Sequence, residues 1–374
     1  KKPTKPLPRK ADPGVFSRYM PSQIAHALVA EAALARTDPD EARRITAGAL
    51  GPCFRLGCQG PDIFYHSQRT RPLALHYGVL AHRRGFGRLV EGMLETWIRE
   101  DGDPASPWAA FLLGFATHGA LDRAAHPYIV HGSGWTEPGK PETERFRGCH
   151  AFLERILDIL IWEGRTGTPV SGFDVRVRLL PAGDFPPEFP ARLTSAFRRA
   201  YPSETAGDPR LTARFSHALA DTRRFLLLTN PAETSRRANG SGHDPESLRH
   251  LRGPHGRRIV SVLYPETFDR GVDWASERGR TWVHPCRGEP VRRESFFDLC
   301  AAAETEAAGL LGLVLEGIRN RSVPRGLADA AGNGTLNVGD AEGRPARPRF
   351  QDPFPLAEAM SEELHARLSL EASH

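Results

Sequence analysis

The sequence has little cysteine: five residues in 374, at Cys53, Cys58, Cys149, Cys286 and Cys300. The count is odd and no C-x-x-C pair occurs, which argues against a disulfide framework and a thiolate zinc ribbon. Reduced, buried thiols are expected instead. Long hydrophobic runs are missing too. The longest apolar stretch, Trp108 to Ala116, is far short of the ~20 residues a spanning helix needs, so no transmembrane segment is expected. Charge of one sign is also lacking. Fifty basic residues stand against 45 acidic ones, a net charge of +5. That mild excess suits an anionic partner, such as a phosphorylated substrate or an acidic membrane surface touched from outside, without singling out nucleic acid. No secretory signal is visible, and with the odd thiol count this leans towards the cytoplasm. A chain beginning Lys1-Lys2 would be secreted if it were a trimmed mature form.

The sequence does contain enough apolar material for a sizeable core. Hydrophobic residues make up 40% and charged residues 25%, which excludes a wholly disordered chain and a polytopic membrane protein. Residues 1–19 are Pro- and Lys-rich and read as a flexible basic arm. Residues 20–165 read as a helical core. Within it, 74–99 has one helical pattern, WAAFLLGFATHGALDRAAH is a strongly apolar helix, PYIVHGSGWTEPGKPE is expected to be loop, and TERFRGCHAFLERILDILIWEG is an amphipathic helix. Residues 166–374 read as further helices and loops, of the same domain or of a C-terminal extension. Their features are helices at 211–229 and 295–320, a short strand at RRIVSVLY and a short helix in the last twenty residues.

Fifteen histidines are present, and eight lie between His26 and His150. In THGALDRAAH, His118, Asp122 and His126 are spaced i, i+4 and i+8, so they share one helix face. The flanking residues are apolar. Three ionisable groups on a buried face cost free energy unless they pair or hold a cation. One such pattern alone is better explained by a satisfied His–Asp pair. A second, His150 and Glu154 in CHAFLERILD with Asp158 one turn on, makes a metal site inside a helical bundle the better reading. Asp62 in QGPDIFYH, His76 at the entry to the next helix and His26 in SQIAHAL are weaker candidates taken singly. Phe64, Tyr65, Tyr128 and Trp135 are aromatic residues that suit either core packing or a substrate pocket.

These stretches (MPSQIAHALVAEAAL, QGPDIFYH, LLGFATHGALDRAAHPYI and GCHAFLERILD) resemble the zinc-dependent phospholipase C family. That family shares its fold with the fungal single-strand-specific nucleases. The resemblance covers about residues 20–165, with a weaker likeness from Asp273 through TWVHPC to SFFDLCAAAETEA. It implies an all-α, multi-helix bundle with long irregular loops, holding two or three zinc ions. Carried over residue by residue, Asp62, His76, His118 and Asp122 correspond to the first zinc position. His126, His150 and Glu154 correspond to the second, with His131 as the fallback for His126. His26 corresponds to the histidine of the third, where Asp122 bridges. In secreted members an amino-terminal Trp completes that third position; here Met20 stands at that place behind nineteen residues.

The implied activity is that of a zinc-dependent phosphoric-ester hydrolase, in which a metal-activated water attacks phosphorus. Asp62 would also orient or deprotonate that water. Phospholipid is the expected substrate and nucleic acid the runner-up. A non-enzymatic helical protein with a structural zinc is the competing class. A thiol enzyme built on Cys149 beside His150 is disfavoured, because neighbouring residues on a helix face apart.

Overall fold

The computed structural model describes residues 22–233 and 256–370. The expected basic arm and Met20 lie outside these residues. Helix accounts for 62% and strand for 2%, so the fold is all-α.

The helices, in chain order, begin with α1 (Ile24–Thr37), α2 (Pro39–Thr46) and α3 (Gly51–Gly57). A 3-10 turn follows at Gly60–Phe64, and then α4 (Leu75–Arg83), α5 (Phe86–Glu100), α6 (Pro107–Ser133) and α7 (Cys149–Thr166). Next come α8 (Val175–Arg178), α9 (Phe189–Ala200), α10 (Pro202–Thr205) and α11 (Leu211–Leu228). The last four are α12 (Gly256–Val260), α13 (Phe296–Asn320), α14 (Leu327–Ala331) and α15 (Leu356–Leu370). A two-stranded antiparallel hairpin pairs β1 (Trp282–Val283) with β2 (Val291–Arg292), Trp282 facing Arg292.

Helix α6 is the axis of the molecule. Ser106 caps it by accepting from the Ala109 amide, and Pro107 sits in its first turn. Its 27 residues extend about 40 Å at 1.5 Å per residue. Nearly all are buried, as befits a helix that is apolar on every side. Helices α1, α3, α5, α7 and α13 pack around it. The α3 crossing is close because glycine faces backbone on both sides. A Cβ at Gly57 would lie 2.2 Å from the Phe111 carbonyl oxygen, and one at Gly114 would lie 2.0 Å from that of Phe54. A capping box between Ser295 and Asp298 starts α13, which lies along α6 and α1. One buried apolar cluster runs from Ile24 to Met360, so the described residues beyond 165 share the core of the amino-terminal half.

Three local expectations are corrected. The 74–99 pattern splits at Gly85, whose φ of 73° ends one helix and begins another. The first seven residues of the PYIVHGSGWTEPGKPE loop, Pro127–Ser133, are instead the last turns of α6, while 134–140 lies outside any helix as expected. Proline inside a helix removes one hydrogen bond, but Tyr128, Ile129 and Val130 are buried in compensation. The RRIVSVLY strand is the short helix α12 and a following turn. Its polar groups go to α7: the Val262 carbonyl accepts from Arg155 Nε, and the Tyr264 hydroxyl donates to Asp158.

Candidate metal centre

Four helices and the 3-10 turn bring their imidazoles and carboxylates to one buried place. Helix α6 supplies His118, Asp122 and His126 from one face. His118 Nε2 is 3.0 Å from Asp122 Oδ2, and His126 Nε2 is 3.7 Å from Asp122 Oδ1. Helix α7 supplies His150 and Glu154, with His150 Nε2 3.4 Å and His126 Nε2 3.7 Å from Glu154 Oε1. Helix α1 adds His26, whose Nε2 is 3.3 Å from Asp122 Oδ1 and whose ring stacks on His118 at 4.3 Å. The turn at Gly60–Phe64 adds Asp62. Gly60 is required there: its φ is +51°, and a Cβ would fall 2.2 Å from the His118 ring.

Three trios each have ligand atoms within 4.8 Å of one another: His26, Asp62 and His118; His82, His118 and Asp122; His126, His150 and Glu154. Asp122 touches both halves through its two oxygens, and His126 links Asp122 to Glu154. Seven of the eight residues expected from sequence therefore converge.

His76 does not. It is exposed and leans on the Tyr77 ring at 3.8 Å. His82 stands in its place, with Nε2 3.0 Å from Asp62 Oδ1 and 3.7 Å from Asp122 Oδ2. The buried face of α4 carries Tyr77, Gly78, Ala81 and His82. That i, i+1, i+4, i+5 set is a helical stripe, and His76 lies off it with exposed Val79. The stripe is the sequence signal that distinguishes the two histidines. His131 stays outside as well. Five residues beyond His126, it is about 140° further round the helix, and its backbone carbonyl accepts from the Asp352 amide.

Backbone carbonyls hold three of the rings. The Nδ1 atoms of His118, His82 and His126 lie 3.1, 2.8 and 2.8 Å from the carbonyl oxygens of Cys58, Gly78 and Leu336. A carbonyl only accepts, so each Nδ1 carries hydrogen and each Nε2 is left to face the cluster. Asp62 Oδ1, His82 Nε2, His118 Nε2, Asp122 Oδ2, His150 Nε2 and Glu154 Oε2 are buried and make no well-aligned hydrogen bond, although His82 with Asp62 and His118 with Asp122 approach to 3.0 Å. Buried polar atoms are normally satisfied, and six converging atoms without such a bond fit a bound cation. Five imidazoles against three carboxylates is a nitrogen-rich donor set of the kind zinc and other first-row transition metals take, unlike the all-oxygen sets of magnesium and calcium.

The electrostatics agree. Burial disfavours the charged form of His126, yet Asp122 and Glu154 outweigh it and raise its pKa to about 9. Burial would raise Asp122, but His118 and His126 hold its carboxyl well below the usual range. Burial lowers His118, with His26 adding to the effect. Carboxylates kept ionised in a dry interior are held there by positive charge, which a cation also supplies.

Asp158, one turn beyond Glu154, caps α1 from outside. It accepts from Ser22 Oγ, the Gln23 and Ala25 amides and the Tyr264 hydroxyl. Helix α1 has no side-chain cap of its own, so Asp158 fixes the turn that carries His26. Of the four aromatic residues, Phe64 packs with Phe197 and Phe215, Tyr128 donates to the Trp274 carbonyl, and Trp135 joins Val130, Cys286 and Val338. Tyr65 alone borders the centre, half-buried, with its ring 4.7 Å from that of His82. Cys149 is buried and its thiol is pushed up to about 12 by desolvation, which leaves a thiol nucleophile there unsupported.

No family model matches the chain, and no curated protein or solved structure matches it either.

Proposed function

We infer that the chain is a zinc-dependent phosphoric-ester hydrolase of the phospholipase C type, holding two or three zinc ions. The observation that carries this reading is the convergence of six buried ligand atoms around Asp122 and Glu154, none of which makes a well-aligned hydrogen bond. His82, His118, Asp62 and Asp122 would hold the first ion, His126, His150 and Glu154 the second, and His26 with Asp122 a third. Zinc supplies Lewis acidity towards a phosphoryl oxygen and an acidified water near neutral pH.

The chain's own residues do the rest. Asp62 lies on the 3-10 turn with Oδ1 turned to His82; a carboxylate there has a second oxygen with which to orient the attacking water and take its proton. The backbone-held rings keep their geometry while charge develops at phosphorus. Half-buried Tyr65 offers an aromatic wall to the substrate beside His82. The mild positive charge favours an anionic phosphoester and contact with an acidic lipid surface. Among the described residues no helix is long and apolar enough to cross a membrane.

A substrate panel tests the reading: phosphatidylcholine, single-stranded DNA and a simple chromogenic phosphodiester, each with zinc-loaded and chelated protein. Zinc-dependent release of diacylglycerol is the expected result. Oligonucleotide products alone would replace the lipase with a nuclease of the same fold. No hydrolysis of any of the three, with zinc bound, would favour a structural role.

A further inference from the structure

Leu336 touches both halves of the centre through its own peptide groups. Its amide donates to the His82 carbonyl at 2.8 Å. Its carbonyl accepts from His126 Nδ1, also at 2.8 Å, across 210 residues of sequence. His82 is the penultimate residue of α4, where carbonyls have no partner within the helix. The Leu336 amide and the Thr335 hydroxyl, at 3.1 Å, satisfy that carbonyl together.

The segment is itself anchored. The Gly332 and Asn333 carbonyls accept from the Gly87 and Gly85 amides, and Asn333 Oδ1 accepts from the Arg88 amide, covering the free N–H groups at the start of α5. The Thr335 amide donates to the Gly343 carbonyl, and the Leu336 side chain is fully buried.

We propose that residues 333–337 are a brace for the centre, in which the Leu336 main chain sets His82 and His126 relative to each other and Thr335 holds it in register. The proposal rests on the metal-centre reading above. It gives the carboxy-terminal part of the chain a positioning role for two ions held by the amino-terminal half. One residue's N–H and C=O determine where two ligands from different metal positions sit. A shift of this segment would therefore change how the two ligand sets sit relative to each other, and with it how well they would hold metal for a phosphoryl substrate. Thr335 and Leu336 are positioning residues and touch neither ion nor substrate.

The test compares Thr335→Val, which is close in shape but lacks the hydroxyl, with Thr335→Ser, which keeps it. Both are made in the full chain. Zinc affinity is read by competition with a chromophoric chelator, and ligand geometry by the visible spectrum of the cobalt-substituted protein. Thr335→Val is expected to weaken zinc binding several-fold, less than the roughly 10- to 100-fold typical of losing a ligating ring's own hydrogen-bond partner because the Leu336 amide still holds the His82 carbonyl, and to shift the cobalt bands. Thr335→Ser is expected to restore both. Should Thr335→Val fail to fold, Asn333→Ala releases the far end of the brace without touching the His82 carbonyl, and the same weakening is expected. Unchanged zinc affinity and cobalt bands in the folded variants would overturn the brace alone. A wild-type chain that takes up no zinc or cobalt would overturn the metal-centre reading beneath it.

Discussion

His82→Ala removes an imidazole 3.0 Å from Asp62, and at least one equivalent of bound zinc is expected to go with it, together with hydrolytic activity. His76→Ala removes an exposed ring resting on Tyr77 and is expected to leave zinc content unchanged. Elemental analysis of the two variants separates them, and the reverse outcome would return the first position to His76. His118→Ala and Asp122→Ala are expected to abolish metal binding and activity together. A second residue-scale prediction concerns acid. Burial, with the charge of Arg155 second, lowers His66 to about 3. The unfolded chain therefore takes up a proton near pH 6.5 that the folded chain refuses until about pH 3. Stability is expected to fall as pH drops through that window, by up to about 1.4 kcal/mol per pH unit from this group. Denaturant titrations from pH 7 to 4 check the slope, and His66→Gln is expected to flatten it. An unchanged slope in that variant would locate the acid sensitivity elsewhere.

At the scale of elements, the α3–α6 crossing is sensitive to steric change. Gly57→Ala places a methyl group 2.2 Å from a backbone carbonyl oxygen, which no side-chain rotation relieves. A loss of about 1–3 kcal/mol is expected, typical of overpacking, visible as a lowered melting temperature with and without zinc. A variant as stable as the parent would mean that the two helices can separate freely. The legibility of the site follows the same elements. His118, Asp122 and His126, and likewise His150 and Glu154, each lie on one helix, so spacing alone predicts their convergence. His82 depends on which face of α4 is buried, information carried by Tyr77, Gly78 and Ala81 rather than by distance along the chain from Asp62. The Leu336 brace leaves no signature, because peptide N–H and C=O groups are the same at every residue. The loop reading failed at PYIVHGS for a related reason: proline weakens a local preference that burial of the next three residues overrides.

Across the whole molecule, three carboxylates and five imidazoles converge where α1, α4, α6 and α7 meet, inside a core built from both halves of the chain. Removing the cation leaves these groups to one another, and the metal-free chain is expected to melt at lower temperature. Ligand linkage gives about 4 kcal/mol at a thousandfold excess over the dissociation constant, and titrating a chelator during thermal denaturation measures it. In the metal-free chain His126 has a pKa of about 9, so at pH 7 it is protonated and must lose that proton to bind zinc. Zinc binding at pH 7 is therefore expected to release protons and to weaken as pH falls, which calorimetry in buffers of different ionisation enthalpy detects. The most direct measurement is the zinc content of the purified chain, reconstituted with excess zinc and dialysed free of loosely held metal. Two or three equivalents per chain are predicted, falling on His82→Ala and unchanged on His76→Ala. No retained zinc, or a single equivalent indifferent to His82, His118 and Asp122, would contradict a shared cluster.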